Sequence, residues 1–121
     1  MATILPTFSK IRGPAGGIDA IVATWTPLAA AGDIGQALQR TDLADRSVEV
    51  TGSFAAGTIV LEGSNDGINY FTLSTPSGAA LSFTAASLMQ VNQPTAWVRP
   101  RVTVGSGASL TLTLIARRTL K

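Results

Sequence analysis

The sequence predicts an all-β fold, an antiparallel, jelly-roll-like β-sandwich of about seven or eight strands preceded by an extended N-terminal arm. Three observations carry this. Apolar residues recur with period two in short runs, Gly-, Pro-, Asn- and Asp-bearing turns separate the runs, and a helical period is almost absent.

Residues 1–17 hold Pro6, Gly13, Pro14, Gly16 and Gly17 among four spaced apolar residues, Ile4, Leu5, Phe8 and Ile11, with Lys10 and Arg12. This is the composition of an extended arm, which either frays or orders against a neighbouring subunit. Residues 18–121 form the sandwich domain. Its first strand, 18–26, places Ile21, Ala23 and Trp25 on one face and Ala20, Val22 and Thr24 on the other. Both faces are largely apolar, so both are expected to be covered. Pro27 is expected to end it, and a long connection with a weak strand near 36–39 follows.

In 43–54, Val48, Val50, Gly52 and Phe54 alternate with Ser47, Glu49, Thr51 and Ser53, a strand with one wet face. The clearest turn signal lies in 58–73, TIVLEGSNDGINYFTL, where Ser64, Asn65, Asp66 and Gly67 separate two alternating runs. Asp-Gly between such runs predicts a β-hairpin, with Gly67 at positive φ. Together 46–73 reads as a three-stranded meander. Leu81–Phe83 fits a short strand and Thr84 the cap of one helical turn through Met89. In 96–104, Val98, Pro100, Val102 and Val104 oppose Trp97, Arg99, Arg101 and Thr103, and Pro100 places this strand at an edge or a bulge. Finally Leu110, Leu112 and Leu114 face the core from 109–117, with Thr111, Thr113, Ile115 and Arg117 outward.

The 121 residues are enough for one domain that needs no metal or disulfide staple. Without cysteine there is no thiolate chemistry, and without histidine the commonest general base and metal ligand is missing. Only 13% of residues are charged and 45% are hydrophobic, against roughly 25% charged in a typical soluble domain. Either the exterior is rich in Ser and Thr, or copies of the chain or a partner cover part of it; the second reading is preferred. The pI near 9.7 accompanies a net charge of only +2, so it is weak support for nucleic acid, and the basic residues sit at the two ends without interleaved aromatics. No apolar run approaches the roughly 18 residues of a membrane span, and residues 1–17 lack the apolar stretch of a secretory signal. A protein made in a cytoplasm is expected.

No constellation points to catalysis. Ser64 lies in a turn satisfied by its own backbone, and Glu49 and Glu62, on polar strand faces, have Arg46, Arg99 and Arg101 for ion pairs. Asp42 with Asp45, and Asn65 with Asp66 and Asn69, lack a recognised cation-loop spacing. Trp25, Tyr70 and Trp97 are a sugar-stacking platform or, preferably, core and interface residues. No enzyme, cofactor or metal is expected.

The runs ATWTPLAAAGDIG (23–35), LADRSVEVTGSF (43–54), VLEGSNDGINYFTL (60–73), WVRPRVT (97–103) and SLTLTLIARR (109–118) resemble a family of small tailed-bacteriophage virion proteins. Tyr70-Phe71 stands where that family often has Trp, and Ala30-Ala31 where Asn-Gly is common. The resemblance implies a capsid decoration or cement protein, made in the host cytoplasm and carried on the virion. Its partners would be the major capsid protein and itself, as a homodimer or a trimer, with no membrane and no specific nucleic acid. A carbohydrate-binding or tail and baseplate sandwich used in host attachment is the alternative. Candidate partner contacts are Ile4, Leu5, Phe8, Lys10, Ile11 and Arg12 on the arm, Val22 and Trp25 on the two-faced strand, and Trp97, Arg99 and Arg101 on the outward face of 96–104.

Overall fold

The structure, a computed structural model, describes residues 2–12 and 18–118. The turn-rich stretch 13–17 and the terminal Lys121 lie outside the described residues. The described chain is all β and forms two packed sheets. One is five-stranded and runs β10 (Ser87–Val91), β6 (Asp45–Ser53), β12 (Ser109–Arg117), β3 (Ile18–Leu28), β2 (Thr7–Arg12). The other is seven-stranded: β1 (Thr3–Ile4), β4 (Ile34–Gly35), β11 (Trp97–Val104), β7 (Thr58–Ser64) and β8 (Phe71–Thr72) in that order, with β5 (Leu38–Gln39) also on β11 and β9 (Ser82–Phe83) also on β7. After β3 the chain changes sheets at most connections, the exceptions being β4 to β5, β7 to β8 and β8 to β9, a crossing pattern like that of a jelly roll. The pairs are antiparallel except β1 with β4, which is parallel.

Alternation fixes what lies between the sheets. Ala23, Trp25, Val48, Val50, Leu110, Leu112 and Leu114 meet Ile59, Leu61, Val98 and Val102, and all are fully buried. Burying one such side chain contributes about 1.5–3 kcal/mol. Trp25 is the largest and spans both layers, its Nε1–H donating to the Gln36 carbonyl at 2.9 Å. The close approach requires glycine at 35, where a Cβ would lie 2.6 Å from the Trp25 ring and 2.5 Å from the Pro100 ring.

Several expectations are corrected. β3 continues past Pro27 to Leu28, because Thr26 and Pro27 together oppose the single residue Thr111 and the resulting bulge accommodates the proline. Residues 46–73 are not a meander: β6 and β7 belong to different sheets, joined by a corner at Ala55–Ala56. In place of a helical turn after Thr84 the chain forms β10, which pairs with β6 from Ser87↔Val50 to Val91↔Arg46. One turn of helix has no cooperative support, whereas the open backbone of β6 offers a partner for every second residue.

Pro100 lies neither on an edge strand nor at the bulge of β11. It opposes Leu61, whose amide and carbonyl bond to Leu81 and Leu73 on the far side of β7. The proline nitrogen therefore faces away from β7, toward the gap between β4 and β5, where no ladder donor is required. The predicted arm is built into the fold: β1 adds to one sheet, and β2 pairs with β3 from Thr7↔Thr24 to Arg12↔Ile18.

Candidate interaction surfaces

Two surfaces collect most of the sequence-predicted contact residues. The first is the β2 margin of the five-stranded sheet. Every residue of β2 is exposed, and among the described residues no strand lies beyond it. Phe8 and Ile11 are 55% and 46% exposed, and Leu5, just before the strand, is 67% exposed. Register sorts the side chains. Phe8 and Lys10 oppose Ala23 and Ile21 and so share the inward face, while Thr7, Ser9 and Ile11 oppose Thr24, Val22 and Ala20 on the outer one. Where the sandwich opens along this margin, Phe8, Lys10, Ile21, Leu38 and Arg40 line a groove of about 220 Å³. Val22 is half-buried on the outer face beside Ile115. Arg12 is exposed at the strand's end. Ile4 departs from the rest of the arm, being half-buried against the core.

The second surface is the outer face of the seven-stranded sheet. Glu62 on β7 is 2% exposed, and its carboxylate accepts from the Nε–H groups of Arg99 at 2.7 Å and Arg101 at 3.0 Å, two residues apart on β11. Burial on both faces of β7 departs from the half-buried strand expected, because these two side chains lie across it. The Arg99 guanidinium in turn stacks on the Tyr70 ring at 3.7 Å from its centroid, a cation–π contact that the 58–73 turn delivers by folding back. Burial pushes the Tyr70 phenol above its ordinary pKa, and the Arg99 charge opposes this. Half-buried Trp97 completes the patch, resting on Gly67, whose φ of +78° matches the turn chemistry and whose missing Cβ would come within 3.3 Å of the indole.

Trp25 belongs to neither surface. It is wholly buried, so it presents no ring to a partner or a sugar. Glu49 and Glu62 also part company, the first on the outer face of the five-stranded sheet and the second on the other sheet. Arg46 pairs with neither: it is 1% exposed and donates to the carbonyls of Leu43 at 3.1 Å, Thr95 at 2.7 Å and Arg40 at 2.6 Å. Its parity with Val48 and Val50 is the signal that it points inward.

A cleft of about 440 Å³ runs beside the 64–69 turn, past exposed Phe71 and half-buried Gln93 and Thr95. Ser64, Asp66, Asn69, Gln93 and Thr95 of its lining bond within the chain itself. Asp66 accepts from the Ser64 hydroxyl, the amides of Ile68 and Asn69 and the Asn69 side chain. These bonds, led by the Asn69 amide, hold the exposed Asp66 carboxyl well below the usual range. Gln93 likewise bonds both ways with Ser74. Among the described residues no three His, Cys, Asp or Glu side chains gather as metal ligands, and no helix is long and apolar enough to cross a membrane.

No known protein family matches the sequence, and no curated protein matches it. Solved structures do resemble the fold. The SPBc2 prophage-derived protein YomS superposes with a TM-score of 0.59, covering 80% of this chain and 94% of that one at 13% identity. A cupin 2 domain-containing protein from Halorhodospira halophila gives 0.47 over 93% of this chain and 65% of that one at 15% identity. A cupin 2 conserved barrel domain protein from Salinispora arenicola gives 0.46 over 94% and 76% at 9% identity. At 13% identity the likeness to YomS is one of fold alone.

Proposed function

We propose that the protein is a non-enzymatic structural component of a tailed-phage virion, a decoration or cement protein that sits on the outside of the head and braces contacts between major capsid proteins. The observation that carries this reading is the β2 margin, a six-residue strand exposed along its whole length, with Phe8 and Ile11 uncovered in it and Leu5 just before it. An exposed apolar strand edge invites pairing with another chain, and soluble monomers ordinarily blunt such edges. The sparse charge of the chain, the sequence resemblance to small virion proteins and a fold shared with a prophage-derived protein point the same way. Weak contacts of this kind, repeated by capsid symmetry, sum to firm attachment.

Co-sedimentation with phage heads that lack the protein tests the reading. Saturable pelleting with the heads, reduced by Leu5→Lys or Phe8→Lys, is expected; protein that stays in the supernatant at every ratio refutes it. Point substitutions are preferred to deleting the first 12 residues, because β1 and β2 are strands of the two sheets and their removal strips the β3 edge.

A further inference from the structure

We propose that β2 is the seam between two copies of this chain, pairing antiparallel with itself about a two-fold axis through Phe8. The inference deepens the assembly reading by naming how copies meet, and rests on it only in taking the working form to be an oligomer. A two-fold axis normal to a sheet keeps each face continuous, so opposed residues must share a face, and the axis must pass through a residue rather than between two. Charge and apolar pattern then choose which one. Centred on Lys10, the pairing sets two ammonium groups directly opposite, and centred on Ile11 it sets Lys10 against Arg12; like charges in register destabilise a sheet. Centred on Ser9 it sets Lys10 against Phe8 and leaves the two phenyl rings apart. Centred on Phe8 it brings the rings together, sets Thr7 against Ser9, carries Ile11 toward Leu5 and sends Lys10 toward Pro6, past the end of the partner strand. One register thus covers every large apolar side chain exposed along this margin.

The groove beside β2 supplies the second half of the argument. Phe8 and Lys10 lie on the inward face, where Ile21 and Leu38 line the opening with Arg40 at its rim. The partner's ring arriving on the two-fold axis enters at the apolar end of this groove, so the seam gains a packed aromatic pair as well as backbone hydrogen bonds.

The chain contains no cysteine, so introduced thiols report the register without competition. Light scattering of the wild type is expected to give twice the 12.4 kDa chain mass, falling to 12.4 kDa for Phe8→Lys that remains folded by circular dichroism. Thr7→Cys and Ser9→Cys variants, which keep Phe8, are expected to form a disulfide-linked dimer on mixing under mild oxidation, and each alone to cross-link far less, since directly opposed strand residues lie within disulfide reach. A monomeric wild type overturns the proposal. So does a dimer that Phe8→Lys leaves intact and the mixed thiols do not link, which would move the seam elsewhere, the exposed Leu88 and Met89 of β10 being the next edge. A β2-linked dimer that ignores phage heads would refute the virion reading and leave this one standing; heads bound by monomers would do the reverse.

Discussion

Glu62 is a carboxylate taken almost wholly out of water, and what makes this tolerable is a guanidinium on each of its oxygens. Removing one member of a buried charge cluster leaves the others uncompensated. Glu62→Gln is therefore expected to lower stability by about 2 kcal/mol, discounted because Arg101 is partly exposed and water screens its share. The measurement is a urea midpoint that falls with unchanged slope. Asp33 is the second such residue, 6% exposed, accepting from the amides of Ala29, Ala30 and Ala2 and so tying the first residues to the loop before β4. These bonds, that of Ala29 foremost, outweigh burial and hold its pKa below the ordinary 3.8. A depressed carboxyl stabilises the fold above its unfolded-state pKa, and that stability is lost as pH falls through the folded value. Asp33→Asn is expected to cost about 2 kcal/mol at pH 7. The gap between wild type and variant in unfolding free energy should close as pH falls below about 4, the usual aspartate range; a gap that stays constant to pH 2 would show that the charge is not what matters. The pairing of Glu62 with Arg99 and Arg101 was among the ion pairs the sequence offered, but its burial was not legible, and nor was the role of Asp33. Arg46 and Asp33 each combine near neighbours in sequence with one partner from far along the chain, Thr95 and Ala2, and Glu62 takes both of its arginines from β11; alternation shows parity without showing how deeply such contacts are buried.

At the scale of elements, period-two alternation located the long strands and their inward faces, because burial against a second layer imposes that period directly. It missed what depends on which strand lies next door. Residues 84–89 looked like one helical turn in isolation, and 87–91 instead became β10 because β6 had an open edge. Pro100 looked like an edge residue because the break between β4 and β5 is invisible in β11. The Ala55–Ala56 corner carries strain that alternation does not show: both alanines have positive φ, 47° and 61°, closed by a bond from the Gly57 amide to the Phe54 carbonyl at 2.7 Å. Such a turn asks for Asn-Gly, and the left-handed region costs a residue with a Cβ about 1–2 kcal/mol. The double substitution Ala55→Asn, Ala56→Gly is expected to raise stability by about 1 kcal/mol, after allowing for the entropy glycine adds to the unfolded chain. Thermal unfolding checks this, and a fall in the midpoint would mean that the corner is held by something other than its own turn geometry.

For the whole molecule, the all-β sandwich was legible because composition, turn spacing and alternation agree. The surfaces were legible only in part. Leu5, Phe8 and Ile11 stand exposed on one margin, whereas Trp25 went to the core, and Arg99 and Arg101 serve first to neutralise Glu62. An open β2 edge with exposed apolar side chains and few charges is the feature on which the proposed assembly rests, with the neighbours placed on a phage head. An electron cryomicroscopy reconstruction of heads with and without the protein tests this most directly. The account predicts added density at symmetric sites on the outer capsid surface into which the two-sheet sandwich fits, with its β2 margin buried against protein. Identical head maps, or sandwich density confined to the tail, would contradict it.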